Sequence, residues 1–166
     1  MADKNLRMKM KMETIETKNL DDRFKYDVAA HPGGENIKLC FSCGTCTAGC
    51  PVSAVDPEFD PRRIIRQVLF GMRKQVLSSA VIWRCVQCYC CSAKCPQNVK
   101  FRDVMRALRE MAVAEEYVRP ELLQEIEQLD EFSQKLRRDM VNLLVTDEDK
   151  YKKLKKKIED ISATES

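Results

Sequence analysis

Aromatic residues are scarce in this sequence, and so are the residues that build tight turns. Phe, Trp and Tyr make up 7% of the 166 residues, and there are only five glycines and six prolines. Proteins built from many short strands use aromatic residues in the strands and Gly or Pro in the turns. The scarcity of both therefore favours a helical chain, and we predict an all-α fold.

Long apolar segments are missing as well. Consecutive apolar residues form only short stretches such as Ala80–Trp83, whereas about 18 are needed to cross a bilayer. The N-terminus is positively charged, but Met8, Met10 and Met12 alternate with lysines and do not form the apolar segment of a secretory signal. We therefore expect a cytoplasmic protein without a membrane span.

Cysteine, in contrast, is abundant, with nine in the chain. Disulfide frameworks are found in secreted proteins, and an odd count without a secretory signal argues against one here. Eight of the cysteines form two copies of the pattern Cys-x2-Cys-x2-Cys-x3-Cys-Pro, at residues 40–51 and 85–96. This pattern is typical of proteins that bind two [4Fe–4S] clusters.

The spacing predicts which cysteines share a cluster. Gaps of two residues allow three thiolates of one loop to converge on one cluster, whereas the fourth cysteine, three residues further on, serves the other cluster. The predicted ligands of the first cluster are Cys40, Cys43, Cys46 and Cys95. The predicted ligands of the second cluster are Cys85, Cys88, Cys91 and Cys50. Loss of the clusters should then unfold the domain, because each cluster links both halves of the chain.

Other metal sites fit these residues less well. Structural zinc is usually held by two separated Cys-x2-Cys pairs, unlike four cysteines crowded into one short segment. A Rieske site needs two histidines, and His31, followed by Pro32-Gly33-Gly34 as in a surface loop, is the only one. The ninth cysteine, Cys90, is interpreted as a small buried apolar residue, with ligand exchange or redox sensing as the alternative.

The chain is predicted to consist of three parts. Residues 1–36 form an N-terminal arm, residues 37–118 a helical domain with both clusters, and residues 119–166 a charged helical extension. The composition of the arm favours a mobile segment, although the alternation of Met8–Met12 also fits a short strand.

One amphipathic helix is predicted after each cysteine segment. Asp60 and Pro61 fit the N-cap and the first position of the first helix. Its apolar stripe comprises Ile65, Val68, Leu69, Met72 and Val76. The stripe of the second helix comprises Phe101, Val104, Met105, Leu108 and Met111, with Arg102, Arg106 and Arg109 off the stripe. The repetition suggests two cluster sites related by a pseudo-two-fold axis.

Two further helices are predicted in the C-terminal extension. One begins at Pro120, and Thr146-Asp147 can cap the other. These helices either pack on the cluster domain or present a narrow apolar stripe to a partner protein.

Basic residues surround the predicted clusters. Residues 61–110 contain eleven Arg or Lys against only Asp103 and Glu110. These charges can offset the anionic clusters and steer acidic redox partners. No nucleic-acid recognition motif is present, and we expect no nucleic-acid partner.

The segments around the cysteines closely resemble the C-type member of heterodisulfide reductase complexes. The resemblance lies in Gly34–Leu39 with the first cysteine segment, in Asp60–Arg66 and in Trp83–Cys85, and it covers roughly residues 34–118. It implies an α-helical ferredoxin domain that carries two [4Fe–4S] clusters. The residues beyond about 120 lie outside it.

The resemblance also implies a function and partners. The protein would relay single electrons, within a hetero-oligomeric complex, between a flavin-bearing A-type subunit and a disulfide-reducing B-type subunit. B-type subunits carry repeated Cys-Cys-Gly motifs, whereas this chain has Cys90-Cys91-Ser92 once, so it should not act as an enzyme on its own and no catalytic residue is assigned. The alternatives are a relay subunit of another anaerobic oxidoreductase or an iron–sulfur sensor.

Overall fold

The computed structural model describes residues 16–164, except for the side chains of residues 162 and 164, and within that range the chain is helical with no strand. The α-helices are α1 (Phe24–Ala30), α2 (Thr45–Ala48), α3 (Pro61–Leu69), α4 (Arg73–Leu77), α5 (Cys90–Lys94), α6 (Phe101–Ala114), α7 (Glu121–Thr146) and α8 (Glu148–Thr164). Short 3₁₀ turns precede both cysteine segments, at Ile37–Leu39 and Ala80–Arg84. The predicted all-α fold is confirmed.

The chain divides into two compact units, the first ending at Tyr117 and the second beginning at Val118. The core of the first unit lies between α1, α3, α4 and α6. Apolar side chains of these helices are almost completely buried, and the largest include Phe24, Ile65, Leu77, Met105 and Leu108. This core holds in place the two loops that carry the cysteines.

Helix α1 differs from the sequence prediction. It lies within residues 1–36, which the sequence assigns to an arm, yet Phe24 and Val28 are fully buried. Their spacing of four residues places both side chains on one face of the helix. Residues 24–30 therefore form part of the helical core, whereas the short strand considered for Met8–Met12 lies outside the described residues.

The helix predicted to continue from Pro61 to Val76 is broken in two. Its start is as predicted, because the Asp60 side chain accepts a hydrogen bond from the Arg63 amide at 3.1 Å. The break falls at Gly71, which has a φ of +77° and whose added Cβ would lie 2.3 Å from the Asp21 carbonyl oxygen. The Asp21 amide donates to the Gly71 carbonyl at 2.8 Å. The close approach of residue 21 therefore fixes a left-handed residue that ends α3.

Helix α6 contains a buried charge that the sequence pattern does not reveal. Arg109 is only 3% exposed. Its guanidinium donates to the carbonyl oxygens of Ile82, Trp83 and Cys85 at 3.0, 3.0 and 2.8 Å, and it lies over the Trp83 ring. Arg109 thus ties α6 to the 3₁₀ turn that leads into the second cysteine segment.

The second unit consists of α7 and α8, which pack against each other. Asp147 caps α8 by accepting a hydrogen bond from the Lys150 amide at 3.0 Å, as the sequence predicts. No residue of α7 is buried, and large apolar side chains such as Leu129, Phe132 and Val145 are exposed. Within residues 16–164, no helix has the length and apolar character required to cross a membrane.

Replacing Arg109 should destabilise the first unit strongly. Arg109→Met keeps most of the apolar stem but leaves three backbone carbonyl groups without their donor, at a cost of about 3 kcal/mol or more. We expect the urea midpoint of the anaerobic holo-protein to fall accordingly. Arg106→Met, which removes an arginine that is 43% exposed on the same helix, is the matched control. Equal midpoints for the two variants would contradict the role assigned to Arg109.

Candidate iron–sulfur site

The two cysteine loops have the same backbone conformation. In the first loop Ser42 and Gly44 have φ values of +62° and +84°. In the second loop the equivalent residues, Gln87 and Tyr89, have φ values of +48° and +64°. Left-handed residues that alternate with ordinary ones curl the chain into a concave nest of backbone amides, which suits an anionic group. The internal repeat predicted from the sequence is therefore present in the backbone of both loops.

The loops are brought together by the short helices that follow them. Helix α2, in the first loop, packs against α5, in the second. Gly49 lies at this contact, because a Cβ there would be 3.2 Å from Cδ and Nζ of Lys94. The packing joins cysteines that are distant in sequence.

A cavity between the loops is lined by cysteines of both loops. It is small and is lined by Cys40, Cys43, Cys46, Cys91 and Cys95. These include all four cysteines that the sequence assigns to the first cluster. Apolar side chains, among them Ile65, Val99 and Phe101, complete the wall. Thiolates in an apolar cavity are the donor set and the surroundings that a [4Fe–4S] cluster requires.

The remaining cysteines also include neighbours from different loops. Burial raises the pKa of the Cys85 thiol, and the nearby Cys91 and Cys50 raise it further. Cys50 belongs to the first loop, so its thiol lies within electrostatic range of a second-loop cysteine. Burial likewise raises the pKa of Cys91, to which Cys88 adds a smaller effect. These four are the cysteines assigned to the second cluster.

The first loop contains a partly buried thiol, Cys46, and an exposed thiol, Cys43. Burial raises the pKa of the Cys46 thiol to about 11. Cys43 is exposed, and a hydrogen bond with the Thr45 hydroxyl, 3.3 Å away, lowers the pKa of its thiol. A buried thiolate is costly without a cation, whereas iron supplies the compensating charge. The chemistry of these residues therefore fits that of the ligands of an iron–sulfur cluster.

Cys90 occupies the position in the second loop that Thr45 occupies in the first. Each follows the second cysteine of its motif by two residues. A hydrogen bond between Cys90 and Cys88 is the main cause of a raised pKa at Cys90, and it parallels the contact between Thr45 and Cys43. The thiol is only partly buried, so its surroundings differ from those of the fully buried apolar residue expected from the sequence.

Polar contacts outside the motifs hold the loops in place. The Thr47 hydroxyl donates to the Asp60 carboxylate at 2.6 Å and accepts a hydrogen bond from the Arg62 amide at 3.1 Å, which attaches α2 to the start of α3. The Val99 amide donates to the sulfur of Cys95 at 3.4 Å. The Thr47 and Arg109 contacts join segments far apart in sequence, so no local pattern identifies them.

The described part of the chain forms no site for a single metal ion. Among residues 16–164, no three His, Cys, Asp or Glu side chains surround a point that one ion could occupy. A tetrahedral zinc site would require sulfur atoms roughly 3.8 Å apart, whereas a cubane spreads its ligands over four irons. His31 pairs with the Glu110 carboxylate, 3.5 Å from its Nδ1.

Comparison with known proteins shows what the cysteine region is similar to. Residues 36–99 match the family described as "4Fe-4S dicluster domain". The chain is 35% identical over 102 residues to the C-type member of the H(2):CoB-CoM heterodisulfide,ferredoxin reductase of Methanothermobacter thermautotrophicus, covering 61% of this chain and 54% of that protein. It is 41% identical over 78 residues to a C-type iron-sulfur member of the CoB--CoM heterodisulfide reductase of Methanocaldococcus jannaschii, covering 47% of this chain and 41% of that protein.

A third relative is the C-type member of the Ferredoxin:CoB-CoM heterodisulfide reductase of Methanosarcina acetivorans, 36% identical over 103 residues, with 62% of this chain and 40% of that protein covered. The chain therefore spans about half, or less, of the length of these relatives. The resemblance found in the sequence is confirmed: residues 36–99 match the model of a 4Fe-4S dicluster domain, and this region is similar to C-type iron–sulfur proteins of heterodisulfide reductases.

Proposed function

We propose that this chain is the iron–sulfur electron-transfer subunit of a heterodisulfide-reductase-like complex. The observation that carries the proposal is the pair of cysteine loops with one shared backbone conformation, packed so that cysteines of both loops line one cavity. Such an arrangement suits two cofactors held close together. The names of the relatives add the class of complex.

The proposed ligands are shared crosswise between the loops. Cys40, Cys43, Cys46 and Cys95 hold one [4Fe–4S] cluster, in agreement with their common cavity. Cys85, Cys88, Cys91 and Cys50 hold the other, in agreement with the electrostatic effect of Cys50 on Cys85. When bound, each cluster accepts and donates one electron at a time.

The protein itself would shield the clusters from water and leave one side of each cluster accessible to a partner. Ile65, Val99 and Phe101 exclude water from one side of the first cluster's cavity, which limits both hydrolysis and attack by oxygen. Cys43 and Cys88 are the exposed cysteines of the two sets. Each cluster would therefore be closest to the protein surface at one thiolate, where a partner's cofactor can approach.

The proposed partners are an A-type subunit that carries flavin and a B-type subunit with Cys-Cys-Gly motifs. This chain has no such motif, because Cys90-Cys91 is followed by Ser92. We therefore assign it electron transfer within a hetero-oligomeric complex and assign disulfide reduction to the partner.

Cysteine variants test the crosswise sharing. Anaerobic wild-type protein should contain about eight irons per chain. Cys95→Ala and Cys43→Ala should lose the same EPR signal, because both cysteines belong to the first cluster. Cys50→Ala and Cys88→Ala should lose the other signal. Each variant should retain about four irons, and Cys90→Ala should retain about eight.

The crosswise assignment is tested by which cysteine variants lose the same EPR signal. If Cys95→Ala loses the same signal as Cys88→Ala, each loop holds its own cluster and the crosswise assignment is wrong. Zinc in place of iron in the wild-type protein would contradict the proposed function itself.

Residues that donate to the exposed thiolates should set the two cluster potentials separately. The Thr45 hydroxyl, 3.3 Å from the sulfur of Cys43, stabilises the more negative, reduced state by about 1 kcal/mol. Thr45→Val should therefore lower the potential of the first cluster by roughly 40 mV. Cys90→Thr should raise that of the second, because a hydroxyl is a stronger donor than a thiol.

The measurement is an EPR-monitored redox titration, in which the unaltered cluster of each variant is the internal control. Equal shifts of both clusters in Thr45→Val would indicate a general structural change. That outcome would contradict the local effect assigned to the hydroxyl.

A further inference from the structure

A basic groove runs along the exposed side of α3, directly beside the cavity of the first cluster. Its walls include Arg62, Arg63, Arg66 and Phe70. Arg62 also lines the cluster cavity. The Arg62 side chain therefore forms part of both the groove and the cavity. A molecule bound in the groove would lie next to the first cysteine loop.

The guanidinium groups of this groove form no ion pair with any carboxylate of the described residues. Among the described residues, no carboxylate forms an ion pair with Arg62, Arg63 or Arg66, whereas Arg73 contacts the carboxylates of Asp21, Asp27 and Glu115. Asp60, the one carboxylate in the groove, is occupied by hydrogen bonds from the Thr47 hydroxyl and the Arg63 amide. Three guanidinium groups thus face a single carboxylate, which leaves an excess of positive charge.

Contacts with uncharged groups hold two of these arginine side chains in position. Arg63 donates to the Glu58 carbonyl oxygen, and the Arg66 guanidinium lies 5.4 Å from the centre of the Phe70 ring. Phe70 itself is 57% exposed. An exposed aromatic ring beside ordered arginines combines the two residue types that dominate protein–protein binding energies.

We propose that the α3 groove binds an acidic segment of a redox-partner protein and thereby places that partner beside the first cluster. This inference rests on the proposed relay function. Carboxylates pair with arginine in two-pronged hydrogen bonds, and complementary charge accelerates encounter between proteins. Docking at the wall of the cavity shortens the path of the electron, whose transfer rate falls steeply with distance.

An acidic protein segment fits the groove better than a nucleic acid does. Proteins that bind duplex DNA commonly neutralise about six to ten phosphates. Helix α3 is nine residues long and offers three guanidinium groups that pair with no carboxylate of the described residues. The second cysteine loop has a different surface: Arg102 there is engaged, paired with Asp103 at 2.9 Å and lying over the Tyr89 ring. The surfaces beside the two cysteine loops therefore differ in the positive charge that they offer to a partner.

The test measures association of the full-length holo-protein with the purified A-type and B-type subunits of its own host, by stopped flow at several salt concentrations. Arg63→Gln combined with Arg66→Gln removes two charges and leaves Arg62 in the cluster cavity. Arg23→Gln combined with Lys25→Gln removes the same charge at α1, outside the groove. Iron content and visible absorbance must equal those of the wild type in both variants.

We expect the groove variant to associate with one of the two subunits about tenfold more slowly at low salt. The difference should nearly vanish at about 0.5 M salt, where exposed charges are screened. The α1 variant should match the wild type. Phe70→Ala should accelerate dissociation and leave the association rate unchanged.

The remaining outcomes of this experiment contradict either the groove proposal or the relay proposal. If electrons pass to a subunit and the groove variant behaves like the wild type or like the α1 variant, the groove proposal alone is wrong. If the wild-type chain exchanges electrons with neither subunit, the proposed relay is wrong and the groove proposal with it. Loss of oligonucleotide binding or self-association in the groove variant, with subunit binding unchanged, would assign the groove to those occupants and overturn the proposal.

Discussion

Sharp curvature of the backbone in each cysteine loop is the constraint on which the cysteine-bearing unit of this protein depends. A regular helix or strand would spread the sulfur atoms along its length, whereas left-handed residues at alternate positions fold the loop back on itself. Of the four residues that adopt this conformation, only Gly44 lacks a Cβ; Ser42, Gln87 and Tyr89 do so at a cost of about 1–2 kcal/mol each. The surrounding structure has to stabilise these loops.

That stabilisation comes from contacts between segments far apart in the sequence. Arg109 satisfies three carbonyl groups at the beginning of the second loop, and Arg102 lies over the ring of Tyr89 at 4.6 Å. The first loop is attached to α3 through Thr47 and Asp60. Both supporting helices are rooted in the same apolar core, so changes far from the cysteines should alter the loops that carry them.

The sequence predicted the parts of the fold that depend on local chemistry. Asp60 and Asp147 cap helices as expected, because an N-cap needs only a carboxylate and a nearby amide. The break at Gly71 was missed, since it is caused by the approach of Asp21 from α1's own leading segment. Arg109 was placed off the apolar stripe, because its burial depends on carbonyl groups more than twenty residues away in sequence. The ligand sets follow from cysteine spacing, and their assignment to two clusters stays a prediction.

The two halves of the cysteine region are alike in backbone and unlike in side chains. Thr45 and Cys90 hold equivalent positions beside exposed cysteines, but a hydroxyl is a better hydrogen-bond donor than a thiol. Among the described residues, Arg62 beside the first loop pairs with no carboxylate, whereas Arg102 beside the second loop pairs with Asp103. A repeated backbone alone would give two clusters of similar potential with similar docking surfaces. In the proposed relay, the differing side chains would give the two clusters unequal potentials and unequal surroundings, so that one cluster receives the electron and the other delivers it.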